Sequence, residues 1–220
     1  MISHVENTAS KGGAPIYQLN VVLLGAKPSI WRRLQVPGNA NLGWLHAVLQ
    51  VAMGWTNSHL HQFRLGEDCY SDTSSHYAEF EGDQEILEEH KFALQQLVSK
   101  EKDRLVYEYD FGDSWGHDVV VEKILPPDGG VSKGALCLDG ARACPPEDCG
   151  GIWGYANLIK VLKNRKHPEH KSMKEWLGRP LDAEAFDLGK TNLWLGKLKW
   201  PQVTEAQLRK VLMGRDDYHE

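Results

Sequence analysis

Three histidines occupy positions where two predicted strands would bring their imidazoles together. His59 and His61 are two residues apart in an alternating segment, so both imidazoles are expected on the face that carries Phe63. His117 begins a second alternating segment, and Asp113 in the preceding loop adds a carboxylate. Neutral imidazole is a common metal ligand. The set suggests zinc or another divalent metal, and the alternative is that each histidine only hydrogen-bonds locally.

A cysteine-rich loop is a second candidate metal site. Cys137, Cys144 and Cys149 are separated by six and then four residues, unlike the C-x₂-C knuckle of structural zinc sites. Three thiolates with one histidine can bind zinc, whereas Cys137 and Cys144 can also form a disulfide or stay reduced. Free or structural thiols are favoured, because the spacing is not diagnostic.

Four acidic residues adjoin two glycine-containing turns: Asp110, Asp113, Glu147 and Asp148. Paired carboxylates can perform acid–base chemistry or bind Mg²⁺. Asp113 taken alone is better explained as a turn residue that bonds its own backbone. Glu147 and Asp148 can instead cap the helix predicted after them.

The turn at 112–116 and the loop at 137–151 are predicted to enclose a pocket for a small molecule or a peptide. Loops of this length in a domain are often functional. The expected lining residues are Asp113, Trp115, His117, Asp148, Trp153 and Tyr155.

A basic stretch from Lys160 to Lys171 could contact phosphates, and cations at the C-terminal end of a helix explain it equally well. The sequence contains neither a phosphate-binding loop nor a dinucleotide-binding fingerprint, and it lacks the H-E-x-x-H and G-x-S-x-G motifs. DNA binding is therefore a minor hypothesis.

Composition indicates an ordinary globular protein of 220 residues with a net charge of −5, which argues against a general nucleic-acid binder. We expect no membrane association, because no apolar run approaches the roughly 20 residues needed to span a bilayer. Four cysteines and a polar N-terminus favour a cytoplasmic location.

The order of predicted elements places strands first and helices last. Ile16–Gly25 and Ile30–Val36 predict a hairpin, and Asn41 predicts the start of a helix ending near Gly54. The fold is expected to be α+β, with an antiparallel β-sheet core, packed helices and a helical C-terminal part. The predicted boundaries are a disordered tail at 1–14, one domain at 15–214 (β-rich 15–125, loop 126–152, helical 153–214) and a tail at 215–220.

Four blocks of the sequence resemble the plasmid pRiA4b ORF-3-like family. They are YQLNVVLLGAKPSIWRRLQVP, HLHQF, YEYDFGDSWGH and CLDGARACPPEDCGGIWGY, and the resemblance extends from about Ile16 to about Asp187. It implies an α+β fold and association with mobile elements, because relatives are passengers of an insertion element with a resolvase-type label. It implies no activity. A serine recombinase needs an activated serine among arginines, and this net acidic chain shows no such cluster.

The family pattern covers two groups of residues in this chain and omits Cys149, which implies that Cys137 and Cys144 act as a pair. The matching positions are Asp110, Gly112, Asp113, Trp115 and His117, followed by Cys137, Cys144, Pro145, Pro146, Glu147, Asp148, Gly150, Gly151, Gly154 and Tyr155.

The first functional hypothesis is a binding module for a small molecule or peptide. The second is a metal-dependent hydrolase of phosphoesters or nucleic acid, in which His59, His61 and His117 bind the metal and Asp113 or Asp148 acts as base. The third is a DNA-associated accessory factor that uses the basic stretch.

Overall fold

The computed structural model describes residues 13–74, 85–127, 129–130 and 134–215. Within these residues the strands are β1 (Ile16–Leu23), β2 (Trp31–Pro37), β3 (His61–Leu65), β4 (Asp68–Ser71), β5 (Ile86–Glu88), β6 (Arg104–Tyr109), β7 (Trp115–Leu125) and β8 (Leu136–Ala141). The helices are α1 (Leu42–Met53), α2 (Leu94–Leu97), α3 (Gly151–Lys163), α4 (His170–Leu177), α5 (Leu188–Leu195) and α6 (Glu205–Met213), with a 3-10 turn at Glu89–Lys91. The predicted tails at 1–12 and 216–220 lie outside the described residues.

The eight strands form one sheet in the order β5-β4-β3-β6-β7-β1-β2-β8. Every neighbouring pair is antiparallel except β4 and β5, which are parallel. Side chains of β7 alternate between the two faces of this sheet. Trp115, His117, Val119 and Val121 are buried, while the residues between them are partly exposed. The α+β fold with a largely antiparallel sheet is confirmed.

Helix α1 is enclosed on all sides. Asn41 caps it by accepting a hydrogen bond from the Trp44 backbone N–H at 2.8 Å, and all twelve of its residues are buried. The helix ends at Gly54, whose φ of 118° is accessible to glycine and costly for other residues. This left-handed residue turns the chain into the loop that carries His59.

The segment predicted as a continuous loop at 126–152 contains the edge strand β8. It pairs with β2, and the register shifts between Arg33 and Leu34. Only Cys137 of the strand is buried, so the sequence lacks the alternation by which strands are recognised. The loop that remains, 142–150, leads directly into α3.

The C-terminal helices complete the core. Trp194 and Leu195 of α5 and Leu208 of α6 belong to the same hydrophobic cluster as the sheet and α1. Helix α4 has no buried residue and packs on α3. Among the described residues, no helix is both long enough and apolar enough to cross a lipid bilayer.

Candidate metal centre

Three loops converge at one end of the sheet, and each supplies one metal-ligating side chain. His59 lies between α1 and β3, Asp110 follows β6, and Glu147 lies between β8 and α3. One donor atom from each lies within 4.8 Å of the other two. No other group of three or more histidine, cysteine or acidic donors meets this distance in the part of the chain that the structure describes.

The His59 imidazole is the centre of this group. Its Nε2 lies 3.6 Å from Asp110 Oδ2, 3.6 Å from Glu147 Oε2 and 3.2 Å from Asp148 Oδ1. His59 Nε2 and Glu147 Oε2 are buried atoms without a hydrogen-bond partner among the described residues. Leaving a buried polar atom unsatisfied costs about 1–3 kcal/mol. Two such atoms that face each other mark a place suited to a cation.

The other carboxylate oxygen of Glu147 fixes the side chain. Glu147 Oε1 accepts hydrogen bonds from the Thr56 N–H and hydroxyl, both at 2.7 Å, and from the Tyr109 hydroxyl at 3.2 Å. The Tyr109 oxygen in turn accepts a bond from the Ser58 N–H at 2.9 Å. Burial raises the pKa of Tyr109 well above its ordinary value, so the phenol stays protonated and remains a donor.

Asp110 is held in the same manner. Its Oδ1 accepts bonds from the backbone N–H groups of Gly112 and Asp113 at 3.0 and 3.3 Å, which leaves Oδ2 directed toward His59. The residue has a φ of 59°, a left-handed conformation that aspartate tolerates better than most residues. Its N–H donates to the Leu60 carbonyl and ties the hairpin loop to the loop of His59.

Asp113 connects the 112–116 turn to the start of α3 and is not one of the three candidate ligands. Its Oδ2 accepts a bond from the Gly150 N–H at 3.1 Å, and a Cβ on Gly151 would lie 2.5 Å from the Asp113 carbonyl oxygen. The 112–116 turn and the start of α3 are therefore in direct contact. This contact brings Glu147 and Asp148 next to Asp110.

The spacing and the chemistry of these donors suit a divalent ion. Ligands at about 2.0–2.1 Å from a tetrahedral zinc ion lie roughly 3.3 Å from one another, close to the separations of 3.2–3.6 Å around His59 Nε2. One imidazole with carboxylate oxygens is a ligand set for zinc or manganese rather than for copper or an iron–sulfur cluster.

His61 lies apart from this group, although it was predicted to converge with His59. Because β3 begins at His61, His59 belongs to the preceding loop and does not follow the strand alternation. His61 Nε2 is 2.8 Å from Glu89 Oε2, and its ring stacks on His46 with centroids 3.4 Å apart. Burial lowers the pKa of His61 to about 3, so it is a neutral core residue.

His117 is also part of the core. It is fully buried, its Nδ1 lies 3.3 Å from the Tyr107 carbonyl oxygen, and its ring packs edge-on against Trp55. Burial lowers its pKa to about 4. Its Nε2 has no partner in the described chain and lies outside the donor group of His59.

Cys137 and Cys144 are free thiols, and neither joins a metal-ligating group in the described residues. Both lie near the Arg32 guanidinium, which lowers their pKa, but burial outweighs that effect and raises the pKa of Cys137 to about 11. Burial also raises the pKa of Cys149 to about 12. Neutral thiols are weak metal ligands and weak nucleophiles.

The residues predicted to line a pocket are dispersed. Trp115 is fully buried and Tyr155 is 7% exposed, so both are core residues, whereas Trp153 is 88% exposed on α3. Asp148 lies at the rim of the metal centre, with 70% of its side chain exposed. The basic stretch forms the end of α3 and the start of α4, and its cations from Lys160 to Lys171 are exposed.

A cleft of about 550 Å³ is lined in part by the 143–147 segment. It lies between the end of α1, that segment, residues 179–187 and α5, and Thr56 and Glu147 belong to its wall.

The sequence pointed to Asp110 and Glu147 as candidate residues but did not group them with His59. The DFGDSW and ACPPED blocks could have indicated the two carboxylate ligands, since the first begins with Asp110 and the second contains Glu147.

The chain belongs to the plasmid pRiA4b ORF-3-like family, whose model matches residues 15–190. It is 34% identical over 190 residues to the uncharacterized protein y4hQ of Sinorhizobium fredii (strain NBRC 101917 / NGR234), a match covering 85% of this chain and 95% of that relative. It is similar to the crystal structure of a protein of unknown function, MM3350 from Methanosarcina mazei Go1. That match has a TM-score of 0.71 and 35% identity, and it covers 82% of this chain and 98% of the other. The family resemblance is confirmed, and function has to be argued from the centre itself.

Proposed function

We propose that the protein is a divalent-metal-dependent hydrolase whose metal is held by His59, Asp110 and Glu147. The observation that carries the proposal is the pair of buried atoms without hydrogen-bond partners, His59 Nε2 and Glu147 Oε2, at 3.6 Å from each other. That distance is too long for an N–H···O hydrogen bond. A cation between the two atoms would satisfy both and offset the repulsion between neighbouring carboxylates.

The number of ligands favours a catalytic over a purely structural metal. Three protein ligands leave at least one coordination position for water or substrate, as in catalytic zinc sites. Zinc held by these residues would lower the pKa of its bound water to about 7 and so supply hydroxide at neutral pH. Asp148, exposed and 3.2 Å from His59 Nε2, would accept the proton that the metal-bound water loses when it becomes hydroxide.

The test is hydrolysis of p-nitrophenyl phosphate and bis(p-nitrophenyl) phosphate by protein stripped of metal and reloaded with zinc, manganese or magnesium. Glu147→Gln retains the acceptor oxygen for Thr56 and Tyr109 and removes the ligating charge. We expect metal-dependent turnover that falls about 100-fold or more in this variant, since a metal contributes several kcal/mol to the transition state. Glu175→Gln, an exposed site on α4, is the matched control.

A rate that is independent of metal, or equal in the two variants, would contradict the assignment. Metal binding without turnover would leave a second candidate function, a metal-containing binding module. The 550 Å³ cleft that shares Thr56 and Glu147 with the centre favours that candidate, because its size is typical of small-molecule sites.

A further inference from the structure

The cleft that shares Thr56 and Glu147 with the metal centre has a buried positive charge, Arg32, in its lining. Arg32 is 2% exposed, and its guanidinium lies 4.2 Å from the centre of the Phe186 ring. It donates hydrogen bonds to the carbonyls of Ala52, Ala141 and Arg142 at 2.8–3.0 Å. In the described residues, no carboxylate lies within ion-pairing distance of it. Carbonyl groups satisfy its N–H donors and leave its net charge uncompensated.

Further cations surround the opening. Arg215 reaches the end of α1, where its guanidinium donates to the carbonyls of Val51 and Trp55. Arg179 and Lys190 are exposed at the rim, and within the described chain neither forms an ion pair. All four cations belong to the lining of the cleft.

Each acidic residue of the cleft has a local hydrogen-bonding role, and the four cations of the lining outnumber its three acids, Glu147, Asp182 and Asp187. Asp182 accepts a bond from the Glu184 N–H at 3.0 Å, and Asp187 caps α5 by accepting from the Lys190 N–H at 2.8 Å. Glu147 is directed into the metal centre. The lining of the cleft therefore combines two exposed cations, Arg179 and Lys190, with the buried Arg32 guanidinium.

We infer that this cleft binds an oxyanion group, phosphate or carboxylate, of a small molecule whose scissile bond reaches the metal. The inference rests on the proposed function for the identity of the reacting end, whereas the anion subsite is independent of the metal. Glu147 and Thr56 connect the two, because they belong to both the cleft wall and the centre. The volume of about 550 Å³ accommodates a small molecule.

The test is calorimetric titration of the full chain, freed of metal, with inorganic pyrophosphate and separately with malonate at low ionic strength. We expect at least one of the two to bind, and affinity to fall about tenfold or more in the double variant Arg179→Ala, Lys190→Ala. The matched control is Lys160→Ala, Lys163→Ala, which removes two exposed cations from α3 and should leave affinity unchanged. The preferred anion identifies the group as phosphoryl or carboxylate.

The outcomes separate the cleft from the metal centre. Binding that persists in metal-free protein supports the anion subsite even if no metal is ever bound. Binding that requires metal would place the anion on the metal and overturn the inference. So would the absence of binding by either anion, or an equal loss of affinity in the α3 control.

Discussion

The contribution of one buried carboxyl group, Glu89, to the stability of the protein should fall as pH rises from 4.5 to 7. Glu89 is 2% exposed and 2.8 Å from His61, which stacks on His46. Burial raises the pKa of Glu89 to about 7 from an ordinary value of 4.5, and it lowers the pKa of both histidines to about 3. Below pH 7 the folded state therefore holds a protonated carboxyl against a neutral imidazole.

The sign and size of the effect follow from proton linkage. Between pH 4.5 and 7 the unfolded glutamate loses its proton while the folded one retains it, so the free energy of unfolding falls as pH rises. Each tenfold change in proton affinity corresponds to about 1.4 kcal/mol, which gives on the order of 3 kcal/mol over this interval. The two histidines act in the opposite direction, since stability from their lowered pKa is lost as pH falls from 6.5 toward 3.

Glu89→Gln removes the carboxyl contribution and leaves that of the histidines, because the glutamine amide can donate to His61 as the protonated acid does. Urea unfolding followed by tryptophan fluorescence at pH 5 and pH 8 measures the difference. We expect the variant to match the wild type within about 1 kcal/mol at pH 5 and to exceed it by up to about 3 kcal/mol at pH 8. The exposed Glu101→Gln is the control. Parallel pH profiles for Glu89→Gln and the wild type would contradict a raised pKa of Glu89 in the folded protein.

Two further predictions concern the loops around the centre. Gly151→Ala should lower stability by more than Gly66→Ala, because both have a left-handed φ that costs about 1–2 kcal/mol, but only at Gly151 would the Cβ strike the Asp113 carbonyl. Thermal melts of the two variants compare these costs, and equal melting temperatures would count against the packing described here. Cys137 and Cys149 should react slowly with a thiol reagent at pH 8 until urea is added, since burial raises their pKa to about 11 and about 12. Rapid labelling of the native protein would show that these thiols are not protected.

Much of the fold could be predicted because its patterns are local. The hairpin β1–β2 follows from two β-rich runs around a turn, and α1 follows from the Asn41 cap and an apolar stripe. The edge strand β8 was missed, because a strand with one buried residue carries no alternation and depends on β2 for its pairing. Strand β8 therefore forms because β2 is available to pair with it, and no local sequence pattern predicts it.

The candidate site was harder to predict, because its ligands lie on three loops whose proximity is set by sheet order. Strand β3 pairs with β6, which brings His59 to Asp110, and the Asp113–Gly150 bond adds Glu147. Alternation placed His59 on the face of His61, but the strand begins two residues later. A shift of this kind changes which side chains share a face.

The metal content of the purified protein decides whether His59, Asp110 and Glu147 form a metal centre. Equilibrium dialysis of the untagged protein against zinc or manganese, followed by elemental analysis, should give about one ion per chain. The ion should be lost in His59→Ala and retained in His61→Ala, because only His59 faces Asp110 and Glu147. Wild-type protein without bound metal, or a His59→Ala variant that keeps its ion, would contradict the proposed centre.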